Sequence, residues 1–306
     1  MTRSVRTWDE IEQLLRRATR ELERAARASA VAARYDRLVR RAPPESPLVA
    51  LHRRMATIHH QLGRRHLTAA TIHRAHAERL RRFLGSEAEG IPPAFMAAVA
   101  ETSGADSALL SLFGHGQVEA IVVTSDKMAA EAHDLESTLD EGPARDAAAG
   151  HELVAARDGA LEERWPLYGP AAVRLGIRAA AAVPLGIRGQ CLGTLTVFGA
   201  HVGARARGKG GAASLGTVAD ALTHTMLLGG DPEASADDVP ALPLEGDGDQ
   251  LAVVHQAAGM LAGESGCRVG DALAIIRAHA FAQSEPVHAV AARVVSRSLH
   301  LGTVLN

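Results

Sequence analysis

The sequence predicts an α+β protein in which N-terminal helices precede an antiparallel sheet with flanking helices, and a three-helix bundle closes the chain. Three observations carry this reading. Residues 1–85 repeat their apolar side chains at helical spacing. Residues 92–229 hold short apolar runs joined by Gly-containing turns, with no regular alternation of strand and helix. Residues 230–249 mix Pro, Gly and acids, a composition that cannot bury a core, and so read as a linker to a bundle at 250–302.

The first helix opens on Thr7-Trp8-Asp9-Glu10, a capping box whose hydroxyl and carboxylate satisfy the first helical N–H groups. Ile11, Leu14, Leu15, Ala18 and Leu22 follow, and Ala42-Pro43-Pro44 ends the helix near Arg41. A second helix spans about Ser46 to Leu84. Its Leu51, Met55, Ile58, Leu62, Ala69 and Ile72 recur every 3.5 residues or so, which predicts a coiled-coil seam interrupted by Arg65 and weakened at Gly63.

His52, His59, His66 and His73 stand one heptad apart beside that seam. A metal or pH-sensing ladder and the polar flank of a helix–helix interface are the two readings. Two helical turns separate neighbours by ~10.5 Å, too far to share an ion, and only His73 and His76 have chelating spacing. The flank is the reading adopted.

Pro92-Pro93 opens a short helix, Ala94 to Ala100, that ends near Gly104. Ala108–Phe113 and Val118–Thr124 read as strands around Gly114-His115-Gly116, and 179–185 and 192–198 as a second pair joined through 186–190. Leu153 to Ala155 reads as a short strand, and Ser214 to Leu228 as a closing helix. Three amphipathic helices follow the linker, at about Gln250–Glu264, Asp271–Gln283 and Pro286–Leu299, with Pro286 suited to a first turn.

Charge is distributed unevenly behind a net value of −2. Residues 1–85 hold 19 arginines against 8 acids, residues 86–229 hold 10 bases against 17 acids, residues 230–249 hold 7 acids and no base, and residues 250–306 hold 4 arginines against 3 acids. The basic part is therefore N-terminal, which bears on any nucleic-acid contact. No signal peptide opens the chain and no window has the ~18 uncharged apolar residues of a membrane span. Cys191 and Cys267 form no CxxC pair and read as buried thiols. A cytoplasmic location with no membrane contact is the expectation.

The stretches "TLDEGPARDAAAG" (138–150), "ERWPLYGPAAVRLGIRAAAAVPLGIRG" (163–189) and "LGTLTVF" (192–198) together resemble the GAF domains that precede ANTAR modules in actinobacterial regulators. The resemblance covers about 92–229 and implies a five- or six-stranded antiparallel sheet with a small-molecule pocket between the sheet and its covering segment. Residues 253–295 resemble an ANTAR domain, the three-helix module of transcription-antitermination regulators that binds RNA hairpins in leader transcripts. The matching positions are Gln256, Ala257 and Gly259 on the first helix, Ala272, Ile276, Arg277 and Ala280 on the second, and Val290 and Ala291 on the third. Arg277 has the fork to bind phosphate or base, and Arg293 and Arg297 join Gln256, Ala257, Gly259 and Arg277 as candidate RNA contacts. The family pattern is broken at Ala258, Arg268 and Glu285, and a +1 module neutralises few phosphates.

Catalytic constellations are absent from the sequence. It holds no phosphate loop, no GxSxG and no HExxH. Glu141, Asp146, Glu162 and Glu163 sit in polar stretches and read as solvated. His115, His133, His151 and His201 read as surface or loop residues, Trp165 as a packing anchor, and Gly203–Gly211 as a basic solvated loop. The expectation is a non-enzymatic regulator without cofactor or metal, and the resemblance implies as partners leader RNA, a small molecule at the sensory domain and a second copy in a homodimer. The alternative is an interaction or dimerisation protein whose ANTAR bundle has lost RNA binding.

Overall fold

The computed structural model describes residues 2–43, 45–86, 93–113, 119–187, 190–199, 214–228, 248–266 and 287–299, with isolated positions at 202, 268–269, 272–273, 275–276, 279–280 and 301. Two long helices lead, α1 (Thr2–Arg41) and α2 (Leu48–Gly85). The sheet region follows as α3 (Phe95–Ser103), β1 (Ser107–Phe113), β2 (Glu119–Thr124), α4 (Lys127–Leu139), α5 (Pro143–Gly150), β3 (Val154–Arg157), α6 (Gly159–Arg164), α7 (Tyr168–Arg174), β4 (Ala179–Ile187), β5 (Gln190–Phe198) and α8 (Leu215–Leu228). The C-terminal part holds α9 (Gly248–Ser265) and α10 (Val287–Val295), with Ala272, Leu273, Ile275, Ile276, His279 and Ala280 also helical. Residues 114–118 and 188–189, expected as turns, residues 230–247 of the expected linker, residues 203–211, expected as a loop, and Arg277, Glu285, Pro286 and Cys267 lie outside the described residues.

The sheet has five strands in the order β2-β1-β5-β4-β3, each neighbouring pair antiparallel. Alternate residues of each strand point to opposite faces, so the sheet carries two cores. Leu110, Val123, Ala181, Leu195 and Val197 face α2, α3 and α8. Leu109, Val122, Ala180, Ala182 and Phe198 face α4 to α7 around Trp165 and Tyr168. Small alanines on β4 let both helical layers lie close. Gly193 is required where β5 crosses β1, because a Cβ there would sit 2.0 Å from the Ser111 carbonyl oxygen.

The seam between α1 and α2 differs from the one its large apolar residues predict. Leu51 and Ile58 remain 52% and 44% exposed. The residues of α2 that face α1 are Val49, Ala56, Gly63, Ala70 and Ala77 in one heptad row, with His52, His59, His66, His73 and Leu80 in the next. Ile11, Ala18, Ala25 and Ala32 alternate with Leu14, Glu21, Ala28 and Tyr35 on α1. Small side chains permit close helix approach. A Cβ on Gly63 would meet Ser29 Oγ at 3.2 Å and Ala28 Cβ at 3.8 Å. Gly63 thus serves packing rather than weakening the helix, and the histidines occupy the interface itself.

These buried histidines are held by specific partners. His66 Nδ1 lies 2.6 Å from Glu21 Oε2, and Glu21 also accepts from Arg24. His76 Nε2 lies 3.5 Å from Glu10 Oε1. His73 and His76 pack on the Phe95 ring of α3, His66 meets His224 of α8 edge-on, and Tyr35 stacks with His59. Burial, reinforced by the Arg17 charge, pushes the His73 imidazole down to about 4, so it stays neutral. Among the described residues no cluster of His, Cys, Asp or Glu has the arrangement to hold a metal ion, and no helix is long and apolar enough to cross a membrane.

Candidate functional site

The stretch around Asp140-Glu141-Gly142-Pro143 is a set of helix caps. Asp126 starts α4 by accepting from the Ala129 N–H at 3.0 Å. Asp140 ends α4 in a left-handed conformation, with φ of 55°. Pro143 then occupies the first turn of α5, where its missing N–H costs nothing. Glu136 Oε1 accepts from the Arg145 N–H at 2.9 Å. Gly142, with φ of 159°, allows that carboxylate in, since a Cβ would lie 2.6 Å from Glu136 Cδ. Glu141 Oε1 accepts from the N–H groups of Leu167 and Tyr168 and so starts α7. Asp146 Oδ2 accepts from Trp165 Nε1 at 3.2 Å and from Arg164 Nε at 3.1 Å.

Glu141 and Asp146 are therefore structural acceptors, which corrects the expectation that they are solvated. Trp165 is buried and tied to Asp146 and Tyr168. Cys191 is buried, and its thiol donates to the Gly193 carbonyl. The two short helices α6 and α7 have no counterpart in the sequence reading. Their signal was the pair of acceptors 26 and 19 residues upstream that cap and anchor them.

A cavity of about 770 Å³ opens beside these caps. One wall comes from β2, α4 and α5 through Glu119, Val122, His133, Glu136 and Arg145. The opposite wall comes from the C-terminal helices through Val254, His255, Leu273, Val287 and His288. Polar contacts join the walls: His255 Nε2 bonds the Glu119 carbonyl oxygen, and His288 Nδ1 lies 3.8 Å from Asp134 Oδ2. His133 Nε2 lies 3.6 Å from Glu119 Oε2. His133 is half-buried on α4 and lines this cavity, which corrects its reading as a surface or loop residue, whereas His151 lines it from an exposed position at the end of α5, as expected. The same contacts cover the edge strand β2 with a helix, which removes an open row of strand donors and acceptors.

The electrostatics of the cavity centre on Glu136. Its burial raises the carboxyl to about 7, against the opposing pull of the Arg145 N–H. Behind it the sheet face carries buried hydroxyls, Ser111, Thr194 and Thr196, and the Tyr168 phenol, none with a hydrogen-bond partner among the described residues. Burial also drives the Tyr168 phenol well above its ordinary value. The cavity itself is lined by apolar side chains, Val122, Val254, Leu273 and Val287, together with polar ones, Glu136, Arg145 and His255, the mix that a small-molecule pocket uses.

The candidate RNA contacts are placed unevenly. Gln256 and Gly259 are exposed on α9. Ala257 and Ala258 are fully buried in the bundle with Leu261, Ile276, Val290 and Ala291, so they set helix packing. Arg293 is half-buried on α10, and Arg297 is exposed just beyond it at φ of 57°. Arg277 lies outside the described residues.

The family description of the GAF domain matches residues 87–205, the segment that holds the five strands and α3 to α7. No curated protein and no solved structure gives a match. The chain thus contains a GAF domain, a module that points to a signal-sensing regulatory protein.

Proposed function

We propose that the chain is a non-catalytic cytoplasmic regulator in which a small molecule bound to the GAF domain governs an RNA-binding ANTAR module, and so governs transcription termination. The observation that supports this reading is the cavity whose walls come from both the GAF domain and the C-terminal helices. A ligand there touches both parts at once. It shifts the placement of the helices by as much as its affinity differs between their arrangements. Two modules in a homodimer would double the phosphate contacts of a segment that carries only 4 arginines against 3 acids.

The near-neutral charge and the burial of Ala257 and Ala258 favour a second reading, in which the bundle only mediates assembly. An electrophoretic assay with leader transcripts from the source genome separates the two. The first reading expects salt-sensitive binding that falls at least ten-fold when Arg277, Arg293 and Arg297 are changed together to Ala, with dimer mass and circular dichroism retained. Absence of binding at low salt leaves the assembly reading.

A further inference from the structure

The helix pair α1 and α2 extends past the body of the protein, and its free end carries a groove with no partner among the described residues. Contacts fix the antiparallel register: Glu10 meets His76, Glu21 meets His66, and Ala28 meets Gly63. In this register the interface rows of α2 are flanked on one side by Leu48, Met55, Leu62, Ala69 and His76, with Leu51, Ile58, Arg65 and Ile72 just outside them. The body-proximal members, Ala69, Ile72 and His76, are buried, and His76 packs on Phe95 of α3. The distal members continue the same face into solvent. Leu48, Leu51 and Ile58 are 53%, 52% and 44% exposed, and Met55 and Leu62 are half-buried. Val31 and Leu38 of α1, also half-buried, sit on the matching flank of the opposing helix.

Arginines border this apolar strip. Arg27, Arg34 and Arg41 follow one another at heptad spacing beside Val31 and Leu38, and all three are exposed. The antiparallel register sets them level with Leu62, Met55 and Leu48 in turn. Arg54 and Arg65 stand on the far side, along α2. Among the described residues no ion pair holds Arg27, Arg34, Arg41 or Arg54. Residues 24–65 carry ten arginines and two acids, Asp36 and Glu45, and Asp36 is engaged by His60 at 2.9 Å.

We propose that this groove docks an amphipathic helix of a partner protein, one that brings an apolar heptad seam flanked by Glu or Asp. Heptad phase on both walls suits a third helix, because knobs at 3.5-residue spacing repeat in step with it. The free stretch from Leu62 to Leu48 is 15 residues, about 21 Å of helix between its ends, or roughly four turns of partner. Charge complementarity selects an acidic flank. A second copy of this chain would set arginine rows against each other. The chain's own acidic stretch, 230–249, contains Pro232, Pro240 and Pro243, which bar a continuous four-turn helix. Nucleic acid would satisfy the arginines and leave the leucines exposed.

The test uses the full chain and two labelled 21-residue peptides with Leu at the seam positions, one flanked by Glu and its twin by Lys. Fluorescence anisotropy should show the Glu peptide binding at least ten-fold tighter than the Lys twin. The gain should vanish in Arg27→Glu/Arg34→Glu/Arg41→Glu and in Leu51→Ser/Ile58→Ser, both with unchanged thermal unfolding. Equal binding of the twins, or binding untouched by either variant, overturns the proposal. So does a concentration-dependent doubling of mass that Leu51→Ser/Ile58→Ser abolishes, which would assign the groove to a second copy. Displacement of the Glu peptide by phosphatidylserine vesicles or a single-stranded RNA at lower concentration than unlabelled Glu peptide also overturns it.

Discussion

The helices at the two ends of the chain are built on opposite plans. At the C-terminus, Val, Leu, Ile and Ala fill the bundle interior, and its apolar face is its packing face. At the N-terminus, Ala, Gly and His fill the α1–α2 interface while Leu51 and Ile58 point outward. Large apolar residues mark a packing face when helices pack at ordinary distance. Small residues mark it when backbones approach closely, because the gain then comes from dense contact along the helix. The comparison shows that periodicity locates a stripe, and side-chain size decides whether that stripe meets the nearest helix or a more distant partner.

The sharpest way to break the molecule lies between these ends. Gly193→Ala places a methyl 2.0 Å from a backbone oxygen of β1 and should cost at least about 3 kcal/mol in urea unfolding, since neither strand can yield alone. Next in size is pH. The folded His73 value of about 4 lies below its ordinary 6.5, so the unfolded chain binds the proton first. The stability it supports is fully present above pH 6.5 and is lost as pH falls through 4, by about 3 kcal/mol. Unfolding followed by circular dichroism between pH 7 and 4 should show this loss, and His73→Leu should flatten it. Glu136 runs in the opposite sense. Its folded value of about 7 lies above 4.5, so its contribution is greatest below pH 4.5 and falls as pH rises through 7.

Gly63→Val tests the small-residue interface directly. It must displace Ser29 and Ala28, at an expected cost of about 1–3 kcal/mol. Leu51→Ala, on the outward stripe of the same helix, should change stability by no more than about 0.5 kcal/mol. Equal effects of these two changes would erase the distinction between the faces.

Much of the fold was legible in the sequence. The end of α1 at Arg41, the span of α2 and the paired strands follow from prolines, apolar periodicity and alternation, which act locally, whereas α1 starts at Thr2, ahead of the Thr7-Trp8-Asp9-Glu10 capping box expected to open it. The antiparallel arrangement follows from hairpin spacing. The α1–α2 interface was misread because an alanine row scores weakly beside a leucine row, although it is the row that fits. The helices α6 and α7 were missed because Glu141 and Asp146 stabilise them from 26 and 19 residues away. The cavity was legible only as a generic pocket of the sheet. Its second wall depends on His255 and His288, which look like ordinary helix residues until the C-terminal helices dock against β2 and α4.

That shared wall imposes a reciprocity. Any molecule that fills the cavity against both walls strengthens their docking, by about 2.7 kcal/mol at a concentration one hundred times its dissociation constant if it binds the docked form alone. Linkage requires the converse as well. Whatever pulls the C-terminal helices off β2 must weaken the ligand's hold by the same factor, so an output partner of those helices also sets the concentration at which the signal is felt.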